Sequence, residues 1–210
     1  MSNDALSLPA SGSVGDVNLH PENGATAVSR DPECLVLERS TIEIETTQEI
    51  GQEVVEGGLG SFADATVSGD VLIGQTDLAY FVVCGLARED AVLWWTWLGQ
   101  VAEIAHNYIS LSNYLVATEG MAFGLRYGID KKVFWKSMTD GTANLQVMHL
   151  EQPAPGLVDE TSSSSGYQRA FAARLSLKGL GIAVNSAKRV GLDPTVDEHF
   201  NQSTTIHVHD

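Results

Sequence analysis

Two polar residues four positions apart could act on one bound molecule. Residues 100–107 read QVAEIAHN and include Glu103 and Asn107, which a helix would place on one face. An unperturbed glutamate is anionic near neutral pH, and it would serve as a base only if burial raised its pKa. The alternative is a carboxylate on a helix surface with no site around it.

A serine–glycine pair is the second candidate for binding. Ser68 and Gly69 follow a predicted strand, and glycine lets backbone N–H groups approach an anion closely. The alternative is a plain turn, for which this dipeptide is a common signal. No metal site is expected, because His207 and His209 alternate in the tail without a matching ligand cluster. No Ser-His-Asp or Cys-His arrangement can be proposed from the spacing.

The segment that precedes these residues has the pattern of an α/β unit. A strand is predicted at 34–37, and a helix follows over 43–56, which Ser40 or Thr41 would cap. A second strand lies in SFADATVSGD, and a third is predicted at 79–84. The order strand, helix, strand, loop, strand is typical of α/β proteins.

Beyond residue 94 the apolar spacing becomes helical. It predicts a long helix from 94 to 127 that ends at Gly128, and then a short helix over 131–138 capped by Asp130. A further helix is predicted over 167–190, where glycine and proline end the pattern.

These elements predict a mainly α fold with a long central helix, preceded by a partial α/β segment. Residues 1–30 lack periodicity and are rich in small polar residues, so we expect a disordered leader. The α/β segment would cover 31–93, a helical domain 94–197, and a tail 198–210.

Composition limits the partners and the compartment. A formal net charge of −15 disfavours binding to nucleic acid and to anionic membranes, although an anionic cofactor can still bind locally. Two cysteines, Cys34 and Cys84, indicate a reducing compartment. No apolar run approaches the ~20 residues of a membrane helix, and no signal peptide is visible. The cytosol is the default compartment, with the mitochondrion left open.

Four motifs occur in a family-like order. STIEIETTQEIGQEVVEGGLGSFADATVSG ends in a counterpart of D-A-P-V-S-G-G, and LGQVAEIAHN is similar to G-x-G-Q-x-x-K-x-x-x-N. YGID is similar to L-G-I-D, and GYQRAFAARLSLKGLGIAVNSAKRVGLDP to F-x-x-x-L-x-x-K-D-L-x-x-A. Over about residues 35–195 the chain resembles the β-hydroxyacid dehydrogenase family, which includes 3-hydroxyisobutyrate and 6-phosphogluconate dehydrogenase-like proteins.

The resemblance implies a Rossmann domain that binds NAD or NADP, joined to a helical domain like the C-terminal domain of 6-phosphogluconate dehydrogenase. It implies that Ser68 and Gly69 bind the carboxylate of a small β-hydroxy acid. It also implies that Ser40 and Thr41 approach the cofactor ribose and nicotinamide, and that Lys178 lies near the nicotinamide. The alternative for Lys178 is a solvated lysine on a helix surface.

The catalytic position departs from the family. The family lysine hydrogen-bonds the substrate hydroxyl and relays its proton while hydride moves to the cofactor, and the asparagine four residues later holds the substrate. The asparagine is Asn107, but Glu103 stands at the lysine position. Losing a general acid–base typically costs about 10²–10⁴ in rate. We therefore expect a catalytically impaired oxidoreductase; the alternative is a non-catalytic homologue acting as an oligomerisation or binding module.

Two further departures concern the α/β segment. No G-x-G-x-x-G occurs before Gly57, which predicts a truncated Rossmann remnant. The link 85–99 is shorter than in the family, and Trp94, Trp95 and Trp97 fill it. A lost sheet element would uncover apolar surface, so we expect a homo-oligomer.

Overall fold

The computed structural model of the protein forms two compact units: Met1–His106 with Leu177–Asp210, and Asn107–Ser176. This division differs from the predicted boundary at residue 94, because the first unit includes a segment from near the end of the chain. The structure describes residues 3–6, 8, 10–28, 33–68, 80–87, 97–150, 154–159, 161, 163–164, 166 and 173–195.

The described part of the chain is rich in helix and contains a small sheet. The strands are β1 (Asn3–Leu6), β2 (Leu35–Glu38), β3 (Ser61–Ser68) and β4 (Tyr80–Ala87), and they lie in the order β1-β2-β3-β4. The first three strands are parallel, and β4 is antiparallel to β3. The predicted order of strand, helix and two further strands is confirmed.

Seven helices are described. They are α1 (Ser11–Leu19), α2 (Ala25–Val28), α3 (Ile44–Glu56), α4 (Leu98–Arg126), α5 (Lys131–Thr139), α6 (Val147–Leu150) and α7 (Ala173–Arg189). The predictions of α3, α4 and α5 are confirmed to within a few residues. Residues 91–96 and 167–172, where the predicted helices 94–127 and 167–190 begin, lie outside the described part of the chain, as does the tail 198–210.

The expectation of a disordered leader is wrong for the described residues before 30. There β1 pairs with β2 in parallel, and α1 and α2 follow. Val14 and Asn18 have no exposed surface, and Asn18 donates through its amide to the Val14 carbonyl at 2.9 Å. Burial against the rest of the unit stabilises this segment, although its sequence carries no helical period.

The core of the first unit lies between the sheet and α3. Its buried members, which include Ile50 and Val54 of α3 and Phe62 of β3, are Val14, Cys34, Val36, Ile42, Ile50, Val54, Leu59 and Phe62. The apolar residues of α3 recur at helical spacing, which places them on the face toward the sheet.

The second unit contains most of α4 together with α5 and α6. Gly128 follows α4 with φ of +84°, a left-handed conformation that favours glycine and ends the helix. Asp130 caps α5 as predicted, because its carboxylate accepts from the amides of Lys132 and Val133 at 3.0 and 3.1 Å. The indole of Trp135 donates to a carbonyl of α6 at 3.1 Å.

Candidate functional site

The turn that follows β2 is held by two side chains from distant parts of the sequence. The side-chain amide of Gln100 donates to the Ser40 carbonyl at 2.6 Å, and its side-chain oxygen accepts from the backbone amide of Ile42 at 3.3 Å. The Lys178 ammonium donates to the Thr41 carbonyl at 2.7 Å. The turn lies beyond the carboxyl end of a parallel strand, which is where α/β sheets bind ligands.

The polar groups of Ser40 all make contacts within the protein. Its hydroxyl accepts from the Leu8 amide at 2.8 Å and also hydrogen-bonds the carboxyl of Glu38. Its amide donates to Glu38 Oε1 at 2.6 Å. Ser40 is 3% exposed, so in this structure it holds the turn in place.

Two buried carboxyl groups lie beside this turn. Glu38 and Asp64 are register partners across β2 and β3, and neither has exposed surface. Burial, with a smaller contribution from the nearby Glu38 carboxyl, raises the pKa of Asp64 to about 7, against hydrogen bonds that lower it. Burial also raises the pKa of Glu38, whereas bonds from Ser40 and Arg39 lower it.

Asp64 also caps the long helix. Its Oδ2 accepts from the backbone amide of Gln100 at 2.7 Å, within the first turn of α4. The first amides of a helix lack intrahelical partners, and a carboxylate there interacts favourably with the helix dipole. Gly99 makes room for this contact, because a Cβ at that position would lie 2.7–2.8 Å from the Asp64 carboxyl atoms. Asp64 therefore fixes where α4 begins relative to the sheet.

Lys178 is half-buried on α7, so the alternative of a solvated surface lysine is wrong. Burial lowers its pKa, and the negative charge of Glu43 partly opposes this effect. An ion pair between Arg189 and Glu45 joins the other end of α7 to α3. The structure thus brings Lys178 to the turn that contains Ser40 and Thr41, and the binding of a cofactor by these three residues stays a prediction.

Glu103 is 5% exposed and lies less than one helical turn after Gln100. The alternative of a carboxylate on the helix surface is therefore wrong. Asn107 lies four residues further along α4, where the second compact unit begins.

The predicted substrate pair is described only in part. Ser68 is the last residue of β3, and Gly69 lies outside the described residues, so their binding of a carboxylate stays a prediction. The described part of the chain contains no group of three or more acidic, histidine or cysteine side chains that could hold a metal. None of its helices combines the length and apolarity needed to cross a membrane.

Three residues of the site are not predicted from the sequence: Glu38, Asp64 and Gln100. Each stands inside or beside a quoted motif, because Asp64 opens DATVSG and Gln100 opens QVAEIAHN. The available signal was an acidic residue in a strand, Glu38 at the end of β2 and Asp64 within β3, where a charge is costly unless it is satisfied or neutralised. The hydrogen bonds of Gln100 to Asp64 and to Ser40 join positions 36 and 60 residues apart, which no local pattern reveals.

The described site thus combines a buried acidic pair, a capped long helix and a turn held by Lys178, all on a small α/β sheet. Residues 98–205 match a family model described as "NAD-binding of NADP-dependent 3-hydroxyisobutyrate dehydrogenase". The chain therefore belongs to the β-hydroxyacid dehydrogenase family.

Comparisons with individual proteins agree with this assignment. The chain is 30% identical over 167 residues to the mitochondrial 3-hydroxyisobutyrate dehydrogenase of Rattus norvegicus, covering 73% of this chain and 50% of the relative. It is 29% identical over 197 residues to the 3-hydroxyisobutyrate dehydrogenase of Pseudomonas aeruginosa, covering 87% and 65%. The chain spans about half to two thirds of the length of such curated relatives.

A solved structure shares the fold. The 3-hydroxyisobutyrate dehydrogenase of Mycobacterium tuberculosis with L-serine superimposes with a TM-score of 0.78 at 19% identity, covering 97% of this chain and 74% of that one.

Proposed function

We propose that the chain is a 3-hydroxyisobutyrate dehydrogenase-like oxidoreductase domain whose catalysis is impaired. It would use NAD or NADP and a small β-hydroxy acid, as the names of its relatives indicate. The cytosol remains the proposed compartment, although several relatives are named as mitochondrial.

The residues around the turn after β2 fit a nicotinamide cofactor. Thr41 lies at the sheet edge that α/β proteins use for ligands, and the ammonium of Lys178 reaches it at 2.7 Å. A half-buried cation can exchange its carbonyl partner for an oxygen of a bound molecule. The cofactor, when bound, would accept or supply the hydride, and Lys178 and Thr41 would orient it.

The impairment rests on one observation, the buried Glu103 at the family's lysine position. A lysine ammonium presents three donors, whereas an ionised carboxylate only accepts hydrogen bonds. Glu103 lacks the positive charge of the lysine and would therefore not stabilise the alkoxide that develops on the substrate hydroxyl. The Ser68–Gly69 pair would still bind the substrate carboxylate, and Asn107 keeps the family's asparagine position.

A rate comparison tests the impairment. The wild-type chain, Glu103→Lys and the charge-removing control Glu103→Gln would be assayed with 3-hydroxyisobutyrate or L-serine and either cofactor, following absorbance of the reduced nicotinamide. We expect Glu103→Lys to exceed both others by about 10²-fold or more. Turnover by the wild-type chain as fast as that of Glu103→Lys would contradict the proposal.

Cofactor binding has its own readout, the quenching of tryptophan fluorescence by NADH or NADPH. We expect Lys178→Ala to weaken binding about tenfold or more, which corresponds to losing one charge-assisted contact. Lys188→Ala alters an exposed lysine of the same helix and is the matched control. Equal affinities of the two variants would remove Lys178 from the cofactor site.

The second candidate function is a non-catalytic module that associates with itself or with a partner. Glu103 again motivates it, because a substituted catalytic position is compatible with a retained fold used for binding. Cofactor binding without turnover in wild type and in Glu103→Lys alike would favour this candidate over the impaired enzyme.

A further inference from the structure

One buried amide side chain joins the turn after β2 to the beginning of α4. Gln100 has no exposed surface. Its Nε2 donates to the Ser40 carbonyl at 2.6 Å, and its Oε1 accepts from the backbone amide of Ile42 at 3.3 Å. Its own backbone amide donates to Asp64 Oδ2 at 2.7 Å. These three hydrogen bonds, the Gln100 link, connect β3, α4 and the turn through a single residue.

The Gln100 link needs a donor and an acceptor on the same side chain. Ser40 presents a carbonyl to it, and Ile42 presents an N–H. A primary amide offers both functions, whereas an ionised carboxylate only accepts and an aliphatic side chain does neither. Both partners are buried, so a lost hydrogen bond would leave a polar group without water to replace it. A neutral amide of this length therefore satisfies the turn, and its ionised isostere would not.

The Gln100 link holds the residues on either side of a predicted cofactor residue. Thr41 stands between Ser40 and Ile42, and its carbonyl accepts from the Lys178 ammonium at 2.7 Å. Along α4, position 103 follows Gln100 by three residues, a rise of about 4.5 Å. Gln100 therefore fixes both the turn that would face a cofactor and the beginning of the helix that carries the family's lysine position.

We infer that Gln100 is a positioning residue for hydride transfer, because it holds the turn after β2 in a set relation to position 103. This role rests on the proposed function, since it requires a cofactor bound near Thr41 and Lys178. Gln100 acts through the backbone of Ser40 and Ile42 rather than on the reacting atoms. Such atoms must lie about 3–3.5 Å apart, and a misplacement of about 1 Å can cost about 10²-fold in rate.

A carboxyl isostere tests the donor requirement of the Gln100 link. When protonated, Gln100→Glu has one donor and one acceptor like the amide, and when ionised it sets an oxygen against the Ser40 carbonyl. Calorimetric titration of the full chain with NAD and with NADP would be made between about pH 5.5 and pH 9. We expect Gln100→Glu to bind at least about tenfold more weakly than wild type at pH 9 and within about threefold at pH 5.5. Gln100→Leu should be weaker by at least about tenfold at every pH.

Other ionisable groups lie on the elements that meet at the Gln100 link. They are Glu38 on β2, Asp64 on β3, Glu103 on α4 and Lys178 on α7. The affinity of each variant would therefore be divided by that of wild type at the same pH, which removes their contribution. Gln52→Glu makes the same chemical change at an exposed position of α3 and should stay within about twofold of wild type throughout.

A rate measurement connects the Gln100 link to position 103. With Glu103→Lys as the parent, the added Gln100→Leu change should lower kcat by at least about tenfold. Saturating cofactor and substrate would be used, so that a loss of affinity does not contribute. An unchanged kcat would overturn the positioning role.

The binding outcomes are separable from those of the proposed function. Circular dichroism would verify that each variant keeps its helix content. Gln100→Leu that binds as tightly as wild type overturns the inference, as does Gln100→Glu that stays weak at pH 5.5. If Gln100→Leu does not fold, Gln100→Glu decides, and an affinity ratio independent of pH overturns the inference.

A wild-type chain that binds neither cofactor would refute the proposed function instead. Hydrogen exchange at the Ile42 amide then tests the Gln100 link without any cofactor. We expect exchange at about pH 7 to be at least about tenfold faster in Gln100→Leu than in wild type, because the amide loses its acceptor. Gln52→Glu should exchange at the wild-type rate. Equal rates in Gln100→Leu and wild type would overturn the link itself.

Discussion

Replacing Asp64 by asparagine should change how stability depends on pH. The asparagine oxygen can still accept from the Gln100 amide, so the cap on α4 is kept in shape while its ionisation is removed. In the wild-type chain this carboxyl has no exposed surface and lies beside Glu38. The substitution therefore isolates the cost of ionising a buried carboxyl group.

The sign and size of the effect follow from the pKa of Asp64, which burial raises from 3.8 to about 7. Between these values the folded chain binds a proton that the unfolded chain releases. This contribution to stability is complete below about pH 4 and is lost as pH rises through 7. A pKa difference of about three corresponds to about 4 kcal/mol at about 1.4 kcal/mol each. Coupling to Glu38 spreads the change over the pair, so we expect about 2–4 kcal/mol.

Urea denaturation at pH 4, 5, 6, 7 and 8 would measure this difference. The free energy of unfolding of Asp64→Asn should decline less between pH 4 and 8 than that of wild type, by about 2–4 kcal/mol. Asp130→Asn, at the exposed cap of α5, shows the effect of the same chemical change away from the buried pair. Parallel pH profiles for wild type and Asp64→Asn would refute the reasoning.

Two further variants test packing and hydrogen bonding. Gln100→Ala removes both contacts to the turn after β2 and should lower the free energy of unfolding, measured in urea, by about 2–4 kcal/mol. A loss below about 0.5 kcal/mol, which is typical of a surface substitution, would contradict these contacts. Gly124→Ala should destabilise the second unit by about 1–3 kcal/mol, because its Cβ would overlap the ring of Phe134. Gly120→Ala, in open space on the same helix, should stabilise it by about 0.5–1 kcal/mol, so that equal melting temperatures for the two alanine variants would be inconsistent with this packing.

The helices that the sequence predicted are those with local signals. Asp130, whose carboxylate can cap a helix, precedes one apolar helical pattern, and Gly128, which readily adopts a left-handed conformation, follows another. Local chemistry therefore marks the beginning of one helix and the end of the other. The prediction of a disordered leader fails because Val14 and Asn18 are buried by tertiary packing. A segment without a helical period gives no local signal of that burial.

The motifs predict that Thr41 and Lys178 both approach a cofactor, and the structure places the Lys178 ammonium 2.7 Å from the Thr41 carbonyl. Their binding of a cofactor stays a prediction. The Asp64 cap on Gln100 and the Glu38 partnership depend on parallel register and on burial. Both contacts depend on how distant segments of the chain pack together, so no single motif predicts them.

Because the first unit is built from two separate parts of the chain, its folding can finish only late in synthesis. About 70 residues, Asn107–Ser176, are translated between its two parts. Thr41 and Lys178 are 137 residues apart, so at ribosomal rates of about 5–20 residues per second their contact becomes possible roughly 7–27 s after Thr41 is synthesised. Until then the turn after β2 lacks one of the two side chains that hold it, and a chain stalled on the ribosome within 107–176 would present this turn to chaperones without its Lys178 contact.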